Sequence, residues 1–280
     1  MVVQSGTLLF VVGTTALTLP SLMSTYYLNL GLSSPLFSPA YIRQHGFFTF
    51  QSRPSFAISG PSTSLVTHMF HHVDIMQVVH WMNNMFAITI SAFSLDLGLI
   101  ATSIVFFGGG IAGALSQALE RLLFRDAQGN FSLQPICDTI TTLWCTTTDW
   151  ILRRPSQDQP IVGYFSRLFF PTYAICGASG GAFALTGAEF YLIYAEIWRI
   201  LTNRDKFKRD ARHKRLANLI AMLFQRALGV GVQMAALLDL FGMGADRSVF
   251  SDMVPQIGHS AHVGGFLSGV AIMSVIDWVF

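Results

Sequence analysis

The sequence predicts an all-α membrane protein with six transmembrane helices. Its 280 residues include 17 Lys and Arg and 15 Asp and Glu, so 11% are charged, where soluble domains carry about 25%. Hydrophobic residues make up 52% of the chain, 24 residues are Phe, and the mean hydropathy is +0.50. So few charges cannot coat a soluble surface of this size. A soluble enzyme, a disordered chain and a nucleic-acid-binding protein are therefore excluded.

Six segments contain the roughly 20 apolar residues that a helix needs to cross the hydrocarbon core of a bilayer. They are residues 7–28, 73–95, 97–119, 168–188 with an extension to 197, 216–240, and 253–276. Asp96 alone separates the second segment from the third, so we expect a very tight turn there. The first 42 residues carry no charge, and a secretory signal would need a cationic start. We therefore interpret the first segment as a retained transmembrane helix.

Three connections between the segments have distinct compositions. The loop at 198–215 carries eight Lys and Arg residues, which predicts the cytoplasmic or matrix side and an anchor to anionic lipid or to an acidic partner. The first loop, 29–70, contains four prolines and suits an irregular segment at the membrane interface. The expanded loop at 120–167 includes 136–152, which has two Trp residues and is predicted to form an interfacial helix.

Polar side chains fall at one depth in three of the predicted helices. The second, fourth and sixth segments all enter the membrane from the side opposite the basic loop. The second carries His80 and Asn84, the fourth carries Ser179 about three turns in, and the sixth carries His262. Each group then lies on the order of 10–15 Å below that surface. Polar groups inside a membrane are costly, so each is a functional candidate.

Small residues surround the two candidates in the fourth and sixth helices. Ser179 lies in a Gly-Ala-Ser-Gly-Gly segment, and His262 is followed by Gly265 at i+3 and Gly269 at i+7. Such faces let two helix backbones approach closely in lipid. They predict a hydrogen bond between Ser179 and His262, in which the imidazole activates the serine as a nucleophile. Ordinary helix packing is the alternative explanation for Ser179.

These motifs closely resemble those of the rhomboid intramembrane serine proteases. In the family's order, they are His80-x-x-x-Asn84 in the second helix, Gly177-x-Ser179-Gly180 in the fourth, and Ala261-His262-x-x-Gly265-x-x-x-Gly269 in the sixth. The resemblance covers about residues 65–280, which would form the rhomboid core with the second to sixth helices. Residues 1–64 would add the first helix and the long first loop. The implied architecture is the six-transmembrane-helix rhomboid fold.

The resemblance also implies an activity. Ser179 would be the nucleophile and His262 its general base, with the oxyanion stabilised by His80, Asn84 and the Ser179 backbone N–H. The family cleaves membrane proteins within a transmembrane segment, near a helix end that can unwind. The implied partners are such a substrate and the lipid bilayer, and neither a metal nor a cofactor is implied. We predict an inner mitochondrial membrane, with a plasma or secretory-pathway membrane as the alternatives.

The chain departs from the family's pattern in its loops. The Trp-Arg element of the family's first loop is missing, with Arg43 at best a partial counterpart, and the loops at 120–167 and 198–215 are enlarged. The alternative function is therefore a rhomboid-like subunit of a membrane complex that chaperones or supports its partners without cleaving them. A transporter is disfavoured because no pair of broken-helix repeats is visible.

The sequence contains two other patterns of ionisable residues. His259 and His262 are spaced i, i+3, and His68, His71 and His72 could add metal ligands. The absence of an H-E-x-x-H motif or of a carboxylate beside the pair argues against a metal site.

Glu189 and Arg226 form the second pattern. They lie in the basic-loop halves of consecutive antiparallel helices, and charges buried in membranes are usually paired. We therefore predict a structural ion pair between them.

Overall fold

A computed structural model describes residues 5–34, 36–45, 48–49, 64–71, 77–124, 174–175, 177–202, 209–244 and 259–279, with isolated positions 133, 137 and 141. The described chain is almost entirely helical. Its helices are α1 (Ser5–Asn29), α2 (Pro39–His45), α3 (Ser64–Thr67), a 3-10 helix (His68–Phe70), α4 (Gln77–Leu95), α5 (Gly98–Phe124), α6 (Ser179–Thr202), α7 (Arg209–Gly244) and α8 (His259–Val279). One antiparallel ladder pairs β1 (Phe48–Thr49) with β2 (Ala174–Ile175).

The bundle is built around α6. Helices α4, α5 and α8 pack against it, α1 packs against α4 and α5, and α7 lies along the outside of α6. The fully buried centre between α4, α5 and α6 includes Ile88, Phe106 and Leu185. A Cβ built on Gly181 would lie 2.6 Å from the Phe106 ring, so glycine is what allows this ring to reach the α6 backbone.

Three helices of the described chain are long and apolar enough to cross a membrane: Ser5–Asn29, Gly98–Gln117 and Ser260–Val279. The pattern of exposure on α1 is the reverse of that on a soluble helix. Its exposed side chains include Leu8, Leu9, Val12 and Leu17. Its buried polar side chains are Thr7, Thr14, Thr18, Ser21, Ser24 and Thr25. Apolar residues outside and hydroxyl groups inside are compatible with a helix that faces lipid.

The tight turn predicted at Asp96 is confirmed. Helix α4 ends at Leu95 and α5 begins at Gly98. Asp96 adopts a left-handed backbone conformation with φ 44°. Its carboxylate accepts a hydrogen bond of 3.0 Å from the Thr7 hydroxyl, whose oxygen accepts the Gly98 N–H at 3.2 Å. The start of α1 thus caps the start of α5.

The helix boundaries around the fourth predicted segment differ from the prediction. A helix starting at 168, with Ser179 three turns inside it, is wrong, because α6 begins at Ser179 itself. Gly177 has φ 99°, which no helix contains, and Ala174–Ile175 pairs with β1 instead of coiling. The hydropathy of 168–188 continues across this break, and hydropathy carries no information on backbone conformation.

Other boundaries shift less. The predicted basic loop at 198–215 is largely helical, because α6 runs to Thr202 and α7 begins at Arg209. The first loop, predicted to be irregular, contains α2, α3 and the 3-10 helix. The interfacial helix predicted at 136–152 lies, apart from two isolated positions, outside the described residues, as do His72 and the His259 side chain.

The predicted ion pair between Glu189 and Arg226 is confirmed. Arg226 Nε lies 2.9 Å from Glu189 Oε1, and the Glu189 side chain is only 4% exposed. The same carboxylate accepts hydrogen bonds from the hydroxyls of Ser91 and Ser94 on α4. Three helices therefore converge on one buried carboxylate.

Candidate active site

Glycines bring the backbones of α6 and α8 into contact. A Cβ built on Gly265 would collide with the carbonyl oxygen of Gly180, and one on Gly269 would collide with that of Ala184. Both obstacles are backbone atoms that cannot move aside. The small faces predicted for these helices are therefore confirmed, and they produce the close approach expected of them.

The same contacts show that α6 and α8 run in the same direction. Gly265 meets Gly180, and one turn later Gly269 meets Ala184. Ser179 is the first residue of α6, and His262 lies in the first turn of α8. The two candidate catalytic residues therefore lie at the same end of the helix pair.

His262 lies over the first turn of α6. Its ring stacks on that of Phe183, with 4.5 Å between centroids and 18° between planes, and Phe183 is one turn after Ser179. Ser179 is 8% exposed and His262 3%. Among the described side chains, no hydrogen bond joins Ser179 to His262. Catalytic hydrogen bonds often tighten only when substrate is bound, so the predicted bond stays a prediction.

Helix α4 brings Asn84 to the level of Ser179. The Ser91 hydroxyl lies 3.4 Å from that of Thr186, and Ser94 bonds Glu189; both pairs are 95 residues apart, so α4 and α6 run parallel. Asn84 precedes Ser91 on α4 by seven residues, and Ser179 precedes Thr186 on α6 by seven residues. Asn84 and Ser179 therefore lie two turns before this contact, on the same faces of their helices.

Both members of the second-helix motif thus lie beside the start of α6. Asn84 is buried at 4% exposure, and His80 is half-buried one turn further out, about 6 Å along the axis. The four side chains that the sequence selected from three distant segments therefore gather at one end of the bundle.

The start of α6 is suited to stabilising a negative charge. The first hydrogen bond there runs from the Ala182 N–H to the Ala178 carbonyl at 3.0 Å. The N–H groups of residues 179–181 therefore precede the first intrahelical bond, at the positive end of the helix dipole. Helix N-termini bind anions for this reason, and the corrected boundary puts Ser179 there.

Helix α5 positions the first turn of α8, which carries His262. Gln117 Oε1 accepts the Ala261 N–H at 3.3 Å, which orders the turn that carries His262. Gly113 allows the Ala261 carbonyl to approach α5, since a Cβ there would lie 2.6 Å from that oxygen.

The sequence analysis did not predict that Phe183 and Gln117 belong to the site. Their signals were an aromatic ring at i+4 from Ser179 and an amide inside an apolar segment.

The described residues contain no group of three or more His, Cys, Asp or Glu side chains that could hold a metal ion. His68 and His71 are both buried, and His71 bonds Ser21 of α1.

Comparisons of the chain with protein-family models, with curated proteins and with solved structures found no match.

Proposed function

We propose that this chain is a rhomboid-type intramembrane serine endopeptidase with six transmembrane helices. In this proposal α4, α6 and α7 are spans in addition to the three most apolar helices. One observation supports it above all others: three parallel helices bring Ser179, His262 and Asn84 to one level at one end of the bundle.

The proposed reaction uses these groups in order. His262 takes the proton of the Ser179 hydroxyl while the oxygen attacks the peptide carbonyl of the substrate. The resulting oxyanion accepts hydrogen bonds from the N–H groups at the start of α6 and from Asn84 and His80. His262 then gives the proton to the leaving amine, and water hydrolyses the acyl-enzyme by the same route.

The substrate class follows from where the site lies. Helices with apolar outer faces surround it, so a substrate would approach within the bilayer as a transmembrane segment. A helical peptide hides its carbonyl carbons, so the segment must unwind locally before Ser179 can attack. Small or helix-breaking residues near the cleaved bond would lower the free energy of that unwinding.

Covalent labelling tests the proposal. The detergent-purified wild type is treated with a fluorophosphonate probe beside Ser179→Ala and His262→Ala. Ser268→Ala serves as the matched control, because Ser268 is a serine on α8 whose hydroxyl bonds only its own helix at Gly265 O, 2.7 Å away. We expect labelling of the wild type and of the Ser268 variant, and its loss in the other two.

A folded wild type that does not react with the probe would contradict the proposal. That result would favour the alternative of a non-proteolytic rhomboid-like subunit, and the proteins that co-purify with the chain would then become the question. Labelling retained in Ser179→Ala would also contradict the proposal, because another nucleophile would be responsible.

A further inference from the structure

The turn before Ser179 is held by the short 3-10 helix. The Gly177 N–H donates to the His68 carbonyl oxygen at 2.8 Å. That oxygen also accepts the His71 N–H at 3.3 Å, which closes the 3-10 helix. One carbonyl oxygen thus couples the conformation of residues 68–71 to that of Gly177, whose left-handed φ of 99° directs the chain into α6.

The 3-10 helix is fixed on α5 at the place where α6 begins. Met69 is fully buried, and its sulfur occupies the space that a Cβ at Gly110 would need. Gly110 also contacts the start of α6, since a Cβ on Gly180 would lie 3.4 Å from Gly110 Cα. The 3-10 helix and the first turn of α6 therefore both contact Gly110.

A buried hydrogen bond connects helix α1 to this assembly. The Ser21 hydroxyl bonds Nδ1 of His71, and these residues are 1% and 4% exposed. The Phe37 ring lies beside the imidazole, with 6.1 Å between centroids. A bond this well shielded from water holds the ring in one orientation.

We infer that Ser21 and His71 are positioning residues for the nucleophile, an inference that rests on the function proposed above. Neither touches the reacting atoms. Ser21 holds the His71 ring, His71 holds the end of the 3-10 helix, and the His68 carbonyl there holds Gly177 two residues before Ser179. Loss of the Ser21–His71 bond should therefore let the Ser179 hydroxyl leave its attacking position.

Rates measured on the full chain test the inference. Ser21→Ala should lower the second-order rate of fluorophosphonate labelling by about three- to tenfold, the equivalent of one hydrogen bond. It should lower kcat for a cleavable transmembrane peptide by a similar factor and leave KM unchanged. Thr7→Val is the matched control: Thr7 is a fully buried α1 residue whose hydroxyl bonds Asp96 and the Gly98 N–H, about 20 Å along α1 from Ser21.

A second variant replaces the other partner of the Ser21–His71 hydrogen bond. His71→Phe keeps an aromatic ring and removes both imidazole nitrogens. It should lower kcat at least as much as Ser21→Ala does, and adding Ser21→Ala to it should cause no further loss. The inference is overturned if Ser21→Ala slows labelling no more than Thr7→Val does, or if it raises KM alone. An unreactive wild type would instead refute the proposed function, and the inference with it.

Discussion

Replacement of Arg226 by Gln should destabilise the bundle far more than replacement of Glu189. Arg226→Gln leaves the Glu189 carboxylate buried, with its hydroxyl partners Ser91 and Ser94 but no positive charge. An uncompensated buried charge of this kind costs about 3–5 kcal/mol. Glu189→Gln leaves Arg226, whose side chain is 29% exposed and long enough to extend toward the protein surface. We expect that variant to lose only about 1–2 kcal/mol.

The double variant should be more stable than the sum of the single losses implies, with a coupling of about 2 kcal/mol. The free energy of unfolding would be measured by titration with a denaturing detergent in mixed micelles. Arg199→Gln is the matched control: Arg199 also joins α6 to a neighbouring helix, through Asp277 at 2.8 Å, but its side chain is 55% exposed. Solvent screening should hold its loss below about 1 kcal/mol. Additive single losses, or a larger loss for Glu189→Gln, would refute this reasoning.

Substitutions at Gly265, Gly177 and Phe183, each compared with a control or a conservative variant where the chain offers one, give further predictions. Gly265→Ala should destabilise the chain by about 3 kcal/mol in the same titration, because its Cβ meets the backbone of α6. Gly229→Ala is the control: a Cβ there would meet nothing within 4 Å, so the variant should stabilise the chain by up to about 1 kcal/mol. Equal effects of the two substitutions would contradict the close contact between α6 and α8. Gly177→Ala should lower the free energy of unfolding by about 1–2 kcal/mol and slow probe labelling, since a φ of 99° strains any residue other than glycine. An unchanged labelling rate would show that the turn does not position Ser179. Phe183→Ala should lower kcat for a transmembrane peptide by about tenfold, through loss of the ring that stacks on His262, whereas Phe183→Tyr should keep it.

Several parts of the site were predictable because they depend on local spacing. A glycine at i+3 and another at i+7 from His262 lie on one face of any helix, whatever it packs against. The Glu189–Arg226 pair was predictable for a similar reason. Two charges in consecutive apolar segments, each close to the shared loop, come to similar depths, and lipid disfavours leaving either one alone.

Other parts were not predictable, because they depend on backbone conformation or on long-range contacts. Residues 168–178 are as apolar as the helix that follows them, so hydropathy extended the helix backwards across Gly177. The Ser21–His71 bond joins a hydroxyl in the first helix to a ring 50 residues away, and no periodicity within either segment relates them. In the sequence Phe183 is one of many apolar residues, and only the packing of α8 on α6 shows that its ring stacks on His262.

The sequence by itself determined the all-α, apolar character of the chain, the close-packing faces of two helices and the set of residues that can do chemistry. These follow from composition and from the helical repeat, which act within about one to two turns. Only the tertiary structure decided that Ser179 begins a helix, that α4 and α8 run parallel to it at matching depth, and that α1 reaches the turn before it. Such relations arise from packing between segments far apart in the chain, where the free energy of one contact depends on all the others around it.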